Sequence, residues 1–444
     1  MKSMRSNTIF LISVFLICLT GHSLADGSFK VKDNLRTGGS LRLRHESWRN
    51  IFDLENRTKD DRYYFRFRGS LWAGLDFTED INLFAKLTDE SKAYAYYYVT
   101  SKAKSTSYVN VSEIVFDSLY LDISNLLGAP IDLRLGRQDF LGTYGEGFLI
   151  MDGTPLDGSR TYYFNALKAS YRINDSNTLD FVYINNPKEE IFLPILNDTE
   201  PNQQLNASDE EAAFVYWKGK PLKDLDTEAY YIFKNEESKG PRLQAHETDL
   251  NTVGYFIRYN RDTLTLRNQL ACQFGEYGSD DRSGLGGYIF LDNEFKNVAL
   301  SPKMTGGFIY LSGDDPATTD NEAWDPLFSR WPWMSDLYSM TYAGESGMDY
   351  WTNLLMWRAR AELNPTDKMK ISSFYNFMKA DENVTGALFG NGTTRGHLPQ
   401  VRLDYSFNRN ITSYVLAEYF IPEDFYRDGS DGALFLRTEL QFKF

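Results

Sequence analysis

Residues 63–77 read YYFRFRGSLWAGLDF, and large apolar side chains alternate with polar ones along this stretch. Phe65 and Phe67 share one parity, whereas Arg66 and Arg68 share the other. In a β-strand, residues of opposite parity face opposite sides of the sheet. The stretch therefore predicts a strand with one apolar face and one polar, charged face.

The same period of two returns along nearly the whole chain, in about 18 segments of strand length. An even number of antiparallel strands brings both chain ends to the same rim of a closed sheet. The segments are Leu41–Trp48, Tyr63–Phe77, Ile81–Thr88, Val115–Ile123, Ile131–Arg137, Phe164–Ile173, Thr178–Ile184, Ala212–Trp217, Thr227–Lys234, Val253–Tyr259, Leu264–Phe274, Gly286–Leu291, Met304–Leu311, Thr352–Leu363, Met369–Met378, Val401–Phe407, Ile411–Phe420 and Ala433–Phe444.

The connections between these segments alternate between short turns and long loops. Thr78–Asp80 and Asn364–Lys368 are short and rich in the polar residues typical of turns, whereas Asn185–Glu211 and Ser312–Trp351 are long. Outer-membrane barrels have this rhythm, and a soluble β-sandwich has no reason to keep it. We therefore predict an all-β fold, a transmembrane antiparallel up-and-down β-barrel of about 18 strands, with long extracellular loops and short periplasmic turns.

The composition excludes several other classes of protein. The 444 residues have a mean hydropathy of −0.44, which argues against a bundle of transmembrane helices. A formal net charge of −14 gives no electrostatic support to nucleic-acid binding. Only Cys272 lies beyond the N-terminal region, so an intrachain disulfide framework is excluded.

The N-terminus has the pattern of a cleaved export signal. Lys2 and Arg5 precede the apolar run Ile9–Leu19, and small residues stand at the first and third positions of Ser23–Ala25. This order predicts a signal peptide over residues 1–25 and a single barrel domain over residues 26–444. An uncleaved anchor is the weaker alternative, because the apolar run is too short to span a bilayer. We expect the mature chain in the cell outer membrane.

Aromatic residues at strand ends fit the same prediction. Tyr94 and Trp351 stand near the ends of predicted strands, where interfacial girdles are expected. The last residues, Leu440–Phe444, alternate and end on Phe. Such an ending resembles the signal by which bacterial outer-membrane barrels are recognised by their assembly machinery. We therefore expect that machinery and the outer-membrane lipid as partners.

Arginine is abundant on the parity predicted to face the lumen. Two interpretations stay open: a wall of structural ion pairs with acids such as Glu46 and Glu439, or an electropositive constriction that conducts anions. The surplus of Arg in an acidic chain favours the second, because Arg binds carboxylates in bidentate fashion. The candidate lumen residues assigned by parity are Arg42, Arg44, Arg66, Arg68, Arg134, Arg258, Arg267, Arg358, Arg360, Arg402 and Arg437.

The longest predicted loop, Ser312–Trp351, carries an unusual apolar load for an exposed segment. Trp324, Phe328 and Trp331 lie in it, together with a run of acids that begins at Asp314. The loop is predicted either to fold over or into the barrel mouth, or to pack on a neighbouring loop. Its acids lack the spacing of an EF-hand, so we predict no metal site.

A set of short motifs goes beyond a generic barrel. Leu133–Gln138 reads LRLGRQ, and it is followed by Tyr144–Gly147 and Asp157–Thr161. Further on come Gly313–Asp315 and the element Asp325–Phe328. These motifs resemble those of the alginate export family of bacterial outer-membrane β-barrels.

The resemblance implies an 18-stranded barrel with a positively charged lumen that passes anionic sugars. Arg134 and Arg137 occupy motif positions, so Arg137 joins the candidate lumen residues. Arg137 and Gln138 are predicted near the rim or constriction, where they could hold an inward-folded loop or form a rim salt bridge.

We predict a channel, a porin or exporter, for anionic solutes such as acidic sugars or an alginate-like polysaccharide. A general diffusion porin for small solutes is the alternative, followed by an adhesin that binds through its surface loops. An enzyme is not predicted. After the signal peptide only His45, His246 and His397 remain, and none lies in a catalytic motif. We predict no catalytic residues and no cofactor.

The predicted orientation can be tested with an inserted peptide tag. A tag within Ser101–Ser105, in a predicted long loop, should be detected by antibody on intact cells, because both termini of an even barrel share the periplasmic rim. A matched tag within Asn364–Lys368 should be detected only after the outer membrane is permeabilised. The reverse pattern would overturn the orientation.

Overall fold

The computed structural model describes most of the chain downstream of the predicted signal peptide. Of that predicted segment it describes only His22–Ser23, which pair antiparallel with Phe29–Lys30. The Asp157–Thr161 motif and the tag site Ser101–Ser105 lie outside the described residues. The described residues are 22–23, 29–58, 61–97, 108–111, 114–150, 164–194, 196, 206, 208–238, 246–329, 334–338 and 351–444.

Eighteen long strands follow one another in sequence order, and each pairs antiparallel with the next. Every predicted segment overlaps one of them, so the predicted all-β fold and strand number are confirmed. They are β1 Leu35–Arg49, β2 Arg62–Asp76, β3 Ile81–Tyr97, β4 Val115–Ile123, β5 Ile131–Gln138, β6 Phe164–Asn174, β7 Asn177–Asn186, β8 Glu210–Leu222, β9 Leu225–Glu236, β10 Thr248–Arg261, β11 Leu264–Tyr277, β12 Asp280–Glu294, β13 Lys303–Leu311, β14 Leu354–Thr366, β15 Met369–Lys379, β16 Thr394–Ser406, β17 Ile411–Pro422 and β18 Ala433–Lys443.

The sheet closes because the last strand pairs with the first. β18 runs antiparallel to β1, from Leu434 opposite Arg49 to Lys443 opposite Ser40. The short strand Tyr108–Val111 pairs with part of β3. Closure leaves neither β1 nor β18 with a free edge along this length, which is what a sheet in hydrocarbon requires.

The predicted parity is confirmed along β2. The side chain of Phe67 is 49% exposed on the outside of the barrel. Its neighbours Arg66 and Arg68 are buried on the opposite face. Bulky apolar groups therefore face the hydrocarbon while charged groups face the lumen, as the alternation in residues 63–77 requires.

The connections form two rims, here called the short-turn rim and the long-loop rim. Asn174 and Asn177 flank a two-residue turn at the short-turn rim. At the long-loop rim, β11 and β12 depart from the pattern, because only Gly278 and Ser279 join them. Among the described residues, no helix is long and apolar enough to cross a membrane.

A charge on the outer face should destabilise the barrel much more than one in the lumen. Phe67→Arg should lower the free energy of unfolding by roughly 2–4 kcal/mol if the residue lies near mid-bilayer, because Arg there meets hydrocarbon. Thr178→Arg is the matched control, since Thr178 lines a cavity in the lumen. Urea unfolding of the refolded protein in lipid vesicles measures both. Equal losses would show that the two faces have been misassigned.

Candidate functional site

Two loops fold from the long-loop rim into the barrel and fill part of its lumen. The first inserted loop follows β5 and is described over residues 139–150. The second inserted loop follows β13 and is described over residues 312–329, 334–338 and 351–353. Their buried apolar side chains are Phe140, Tyr144, Phe148, Leu149 and Ile150 in the first loop and Trp324, Leu327, Phe328, Met334, Leu337, Tyr338 and Trp351 in the second.

The two inserted loops pack on each other through aromatic rings. The ring of Phe148 lies 5.2 Å from that of Trp324 and 6.2 Å from that of Trp351, measured between centroids. Phe328 lies 5.2 Å from Phe164 of β6. Contacts of this geometry stabilise beyond the area they bury. The second loop thus both enters the barrel and packs on its neighbour, so the two alternatives left open by the sequence hold together.

The predicted girdle positions of Trp351 and Tyr94 are wrong. Trp351 is buried, and its indole Nε1 donates a hydrogen bond of 2.8 Å to the carbonyl oxygen of Ser329. Tyr94 pairs in register with Tyr64, which is buried on the lumen side, and the two rings lie 4.9 Å apart. Both residues therefore pack inside the barrel, Trp351 within the inserted loops and Tyr94 against Tyr64 of the wall.

The barrel wall is shaped to receive the second inserted loop. Gly286 of β12 faces Trp324, and a Cβ atom added to Gly286 would lie 2.5 Å from that indole ring. Only glycine leaves room for this approach without a shift. From β9, the Lys234 ammonium donates a hydrogen bond of 3.1 Å to the carbonyl oxygen of Leu327. The loop is therefore seated by both shape and hydrogen bonds.

Residues 334–338, here called the crossing segment, reach the opposite wall of the barrel. The guanidinium of Arg437 on β18 binds both carboxylate oxygens of Asp336, at 2.8 and 3.2 Å. Glu418 on β17 accepts hydrogen bonds from the Ser335 hydroxyl at 2.6 Å and from the Leu337 backbone N–H at 2.9 Å. The inserted loop thus spans the lumen from the β6 wall to the β17–β18 wall.

Five of the predicted lumen arginines form a buried ion cluster with wall carboxylates. Glu46 accepts hydrogen bonds from Arg66 at 2.9 Å and from Arg437 at 3.0 Å. Glu90 lies 3.1 Å from Arg66 and 3.2 Å from Arg42. Because these groups are buried and mutually paired, this part of the wall matches the structural ion-pair interpretation.

The remaining members of the buried ion cluster continue the same wall. Arg44 bonds Glu439 of β18, and Arg68 lies 3.7 Å from the carboxylate of Asp117. Removing one partner from such a buried pair typically destabilises a protein by about 3–5 kcal/mol, because the other charge stays buried. Arg42, Arg44, Arg66, Arg68 and Arg437 therefore hold the wall and the crossing segment.

Two predicted lumen residues stand apart from the others. Arg134 on β5 binds both carboxylate oxygens of Asp122, at 2.6 and 2.9 Å. Arg137 binds both carboxylate oxygens of Glu190, at 2.7 and 3.0 Å, next to the long-loop rim. Arg137 lies two residues beyond the exposed Leu135 on β5. The contacts of Arg137 with Glu190 match the rim salt bridge.

Between the inserted loops and the short-turn rim lies an open cavity of about 1050 Å³. The inserted loops line it through Gly145 and Asp336, among others, and the short-turn rim contributes Asp175 and Asp226. Among the described residues that line it, eight are basic and seven are acidic. The basic residues are Lys218, Lys220, Arg258, Arg267, Arg358, Arg360, Lys370 and Arg402.

On one side of the open cavity, two arginines share a carboxylate of the first inserted loop. Glu146 lies 2.8 Å from Arg258 and 2.6 Å from Arg267. Arg267 also lies 2.7 Å from Asp292 of β12. This side is therefore close to electrostatic balance, and it ties the first inserted loop to β10 and β11.

On the other side of the open cavity, the arginines differ in whether a carboxylate neutralises them. Arg360 lies 2.7 Å from Glu362, and Arg402 lies 2.9 Å from Asp404. Arg358 has no carboxylate within 4 Å among the described residues. Its guanidinium donates to Asn376 at 2.9 Å and to the carbonyl oxygen of Met334 at 3.4 Å. Arg358 is thus the predicted lumen arginine with the least compensated charge.

Parity alone missed several residues of this site. Lys218 and Lys370 also line the open cavity, and their inward parity could have identified them. Glu146 and Asp336 lie in loops, where no sequence period reports which way a side chain faces. Among the described residues, no group of three or more His, Cys, Asp or Glu side chains is placed to hold a metal ion.

Two acids of the second inserted loop, Asp314 and Glu322, lie close together outside the membrane-spanning strands. Burial raises the pKa of the Asp314 carboxyl, and the nearby carboxylate of Glu322 acts in the same direction. The backbone N–H of Glu322 donates to Asp314 at 3.1 Å. Part of the acidic charge of the second inserted loop is therefore concentrated at Asp314 and Glu322.

Comparison with known proteins identifies both the family and the fold. The family model described as alginate export matches residues 33–434, nearly the whole barrel. No curated protein sequence matches the chain.

Solved structures of outer-membrane proteins share the fold. OccAB2 from Acinetobacter baumannii is 12% identical, with a TM-score of 0.56 over 92% of this chain and 98% of that chain. OpdQ from Pseudomonas aeruginosa is 14% identical, with a TM-score of 0.55 over 93% and 99%. The outer membrane protein OprD from the same organism is 9% identical, with a TM-score of 0.55 over 96% of each chain. At such identities the similarity shows the fold alone.

Loosening the contact between the inserted loops should widen the path through the barrel. Phe148→Ala removes a buried ring that contacts both Trp324 and Trp351, and such truncations typically cost about 3–5 kcal/mol of local packing. Single-channel recording in planar bilayers should show a higher conductance than wild type. Leu127→Ala, an exposed position outside the inserted loops and the open cavity, is the control and should change little. Unchanged conductance in Phe148→Ala would mean that the packed loops do not limit flow.

Proposed function

The chain belongs to the alginate export family, and from that premise we propose that it is an outer-membrane channel for carboxylated solutes, such as acidic sugars or an alginate-like polysaccharide. The family and the barrel fold support the channel itself. The anionic solute is a proposal that rests on the open cavity. The observation that carries it is Arg358, a cavity-lining cation without a carboxylate partner among the described residues.

The surroundings of Arg358 suit a passing carboxylate. Its guanidinium lies 4.7 Å from the ring centroid of Phe374, and that of Arg360 lies 5.0 Å from the same centroid. Stacking on a ring restricts a guanidinium without using its N–H donors. The remaining donors of Arg358 can bind a carboxylate in bidentate fashion, at a smaller entropic cost than a mobile lysine would require.

The low-dielectric wall increases the effect of such a charge. Field lines from an unpaired cation are focused inside a narrow path, which raises the local concentration of anions. The paired arginines contribute less, because Glu146, Asp404 and Glu362 cancel much of their field at a distance. Selectivity is therefore assigned mainly to Arg358 rather than to all twelve predicted arginines equally.

The balance of charges supports a competing candidate, a general diffusion porin. The described cavity wall carries eight basic and seven acidic residues, close to neutrality. A pore with that balance would pass small polar solutes with little preference for charge. Ion selectivity separates the two candidates, since only a carboxylate channel should prefer anions.

The positions of the histidines support a channel rather than an enzyme. His45 packs on the lipid-facing Phe65, with ring centroids 5.0 Å apart. His397 shares a hydrogen bond of 2.8 Å with the exposed Tyr375. Neither histidine lines the open cavity, so the cavity walls described here offer no imidazole as a general base.

The last strand supports the proposed recognition by the barrel assembly machinery. Phe442 and Phe444 stack with ring centroids 5.5 Å apart at the short-turn rim. Phe444 and Gly39 exchange backbone hydrogen bonds of 2.8 and 3.0 Å in the finished barrel. Since that edge of β18 is occupied once the sheet closes, we place recognition before closure.

Replacing Arg358 should change the ion selectivity of the pore. Wild type should prefer anions, and Arg358→Gln should move the reversal potential toward cation preference in planar bilayers under a salt gradient. A charge about 4 Å from a passing ion contributes about 1 kcal/mol in water, or roughly a fivefold change in permeability ratio. The effect should shrink near 1 M salt, where the Debye length falls to about 3 Å.

The control for this measurement is Arg409→Gln, which removes an arginine from an exposed turn at the short-turn rim. Its reversal potential should stay close to that of wild type. A wild-type pore that prefers cations would falsify the carboxylate proposal. No preference in wild type would favour the general diffusion porin.

A further inference from the structure

The second inserted loop carries two carboxylates that lie buried against lumen arginines. Asp325 lies 3.0 Å from Arg282 of β12, and Asp336 binds Arg437 of β18. The residues Asp325 and Asp336 are 1% and 3% exposed. Burying a carboxylate costs several kcal/mol unless a cation compensates it, so these contacts place two internal anions within the lumen.

The contact between Asp336 and Arg437 has the geometry that a bound solute carboxylate would have. Two oxygens face two terminal nitrogens of the guanidinium, at 2.8 and 3.2 Å. This fork is how arginine recognises a free carboxylate. Arg437 also donates from Nε to Glu46 at 3.0 Å, and that bond fixes the plane of the guanidinium. The site is therefore preorganised for one carboxylate, and Asp336 occupies it.

Other parts of the crossing segment also occupy donors of the wall. The carbonyl oxygen of Met334 accepts from Gln400 at 2.9 Å and from Arg358 at 3.4 Å. Asp336 lines the open cavity together with Arg358, whereas Arg437 is buried behind it. A solute in the cavity thus meets Asp336 before it can reach Arg437.

We propose that Arg437 is a second carboxylate-binding site of the channel and that Asp336 is its tethered internal competitor. The inference rests on the proposed function, because it takes a carboxylated solute as the ligand. Such a solute displaces Asp336 and supplies the same two oxygen acceptors to Arg437. The exchange replaces one bidentate pair with another, so the buried guanidinium is not left unpaired.

This exchange also gives the channel a basis for discrimination. A neutral sugar cannot replace the carboxylate of Asp336, because Arg437 would then lose a charged partner inside the barrel wall. The bonds from Ser335 and Leu337 to Glu418 hold the crossing segment independently of this exchange. Carboxylate binding therefore requires only the side chain of Asp336 to leave Arg437, while the crossing segment stays attached to Glu418.

The experiment measures block of single-channel current by glucuronate in planar bilayers, with glucose as the neutral probe. Asp336→Asn removes the internal competitor, so half-maximal block by glucuronate should occur at a concentration about tenfold lower than in wild type. A tenfold change in this concentration corresponds to a change of 1.4 kcal/mol in the binding free energy of glucuronate. Glucose should behave alike in both proteins. Asp336→Glu keeps the carboxylate and should restore the weaker block of wild type.

Two control variants separate competition from a loosened loop. Ser335→Ala removes a hydroxyl bonded to Glu418 and leaves the carboxylate of Asp336 on Arg437. It should leave the glucuronate concentration for half-maximal block close to that of wild type. Asp314→Asn removes a carboxylate of the same loop that does not line the open cavity and should also change little. The same block concentration in Asp336→Asn and wild type would overturn the proposal, as would an equal gain in Ser335→Ala.

A second measurement uses the wild-type protein, which decides the matter even if Asp336→Asn does not assemble. Added glucuronate should block the wild-type current, and glucose at the same concentrations should not. Equal responses to both sugars would overturn the competitor role. Wild-type cation preference would instead contradict the proposed function alone, because a stronger block in Asp336→Asn than in wild type would still identify Asp336 as a competitor.

Discussion

The hydrocarbon of a bilayer offers no hydrogen bonds to the backbone, and the architecture of this protein depends on that constraint. Every N–H and C=O of a spanning strand must find its partner in the protein, so the sheet must close. The pairing of β18 with β1 meets this requirement. Once the sheet is closed, the alternation of apolar and polar residues separates a lipid-facing surface from a lumen. The charged residues of each alternating strand then lie on the inside.

Closing eighteen strands creates a lumen that wall side chains alone do not fill. Two inserted loops occupy part of it, with Phe148 and Trp324 at their contact. The loops are held by charge as well as by packing, since Arg437 binds Asp336 and Arg282 lies next to Asp325. The arginine-rich wall thus has two roles: five arginines hold the wall and the crossing segment, and Arg358 faces the open cavity with little compensation.

The candidate site could be predicted from the sequence only in part. Parity placed Arg358, Arg360 and Arg402 in the lumen, and all three line the open cavity. Parity also placed Arg66 in the lumen, yet that arginine is buried between Glu46 and Glu90. Facing inward is a property of one strand, whereas being paired depends on neighbouring strands and on their register. Asp336 could not be assigned from the sequence, because loops have no such period.

The sequence by itself determined the closed all-β barrel, its strand number and the two faces of each strand, because these follow from local alternation and from the requirement that lipid imposes on every backbone group. Only the tertiary structure decided which arginines are paired, where the inserted loops lie and that Trp351 packs in the lumen instead of at the interface. Those features depend on contacts between residues far apart in sequence, such as Asp336 with Arg437 and Phe148 with Trp324. Their energies arise only when the sheet has closed and brought the walls and loops together.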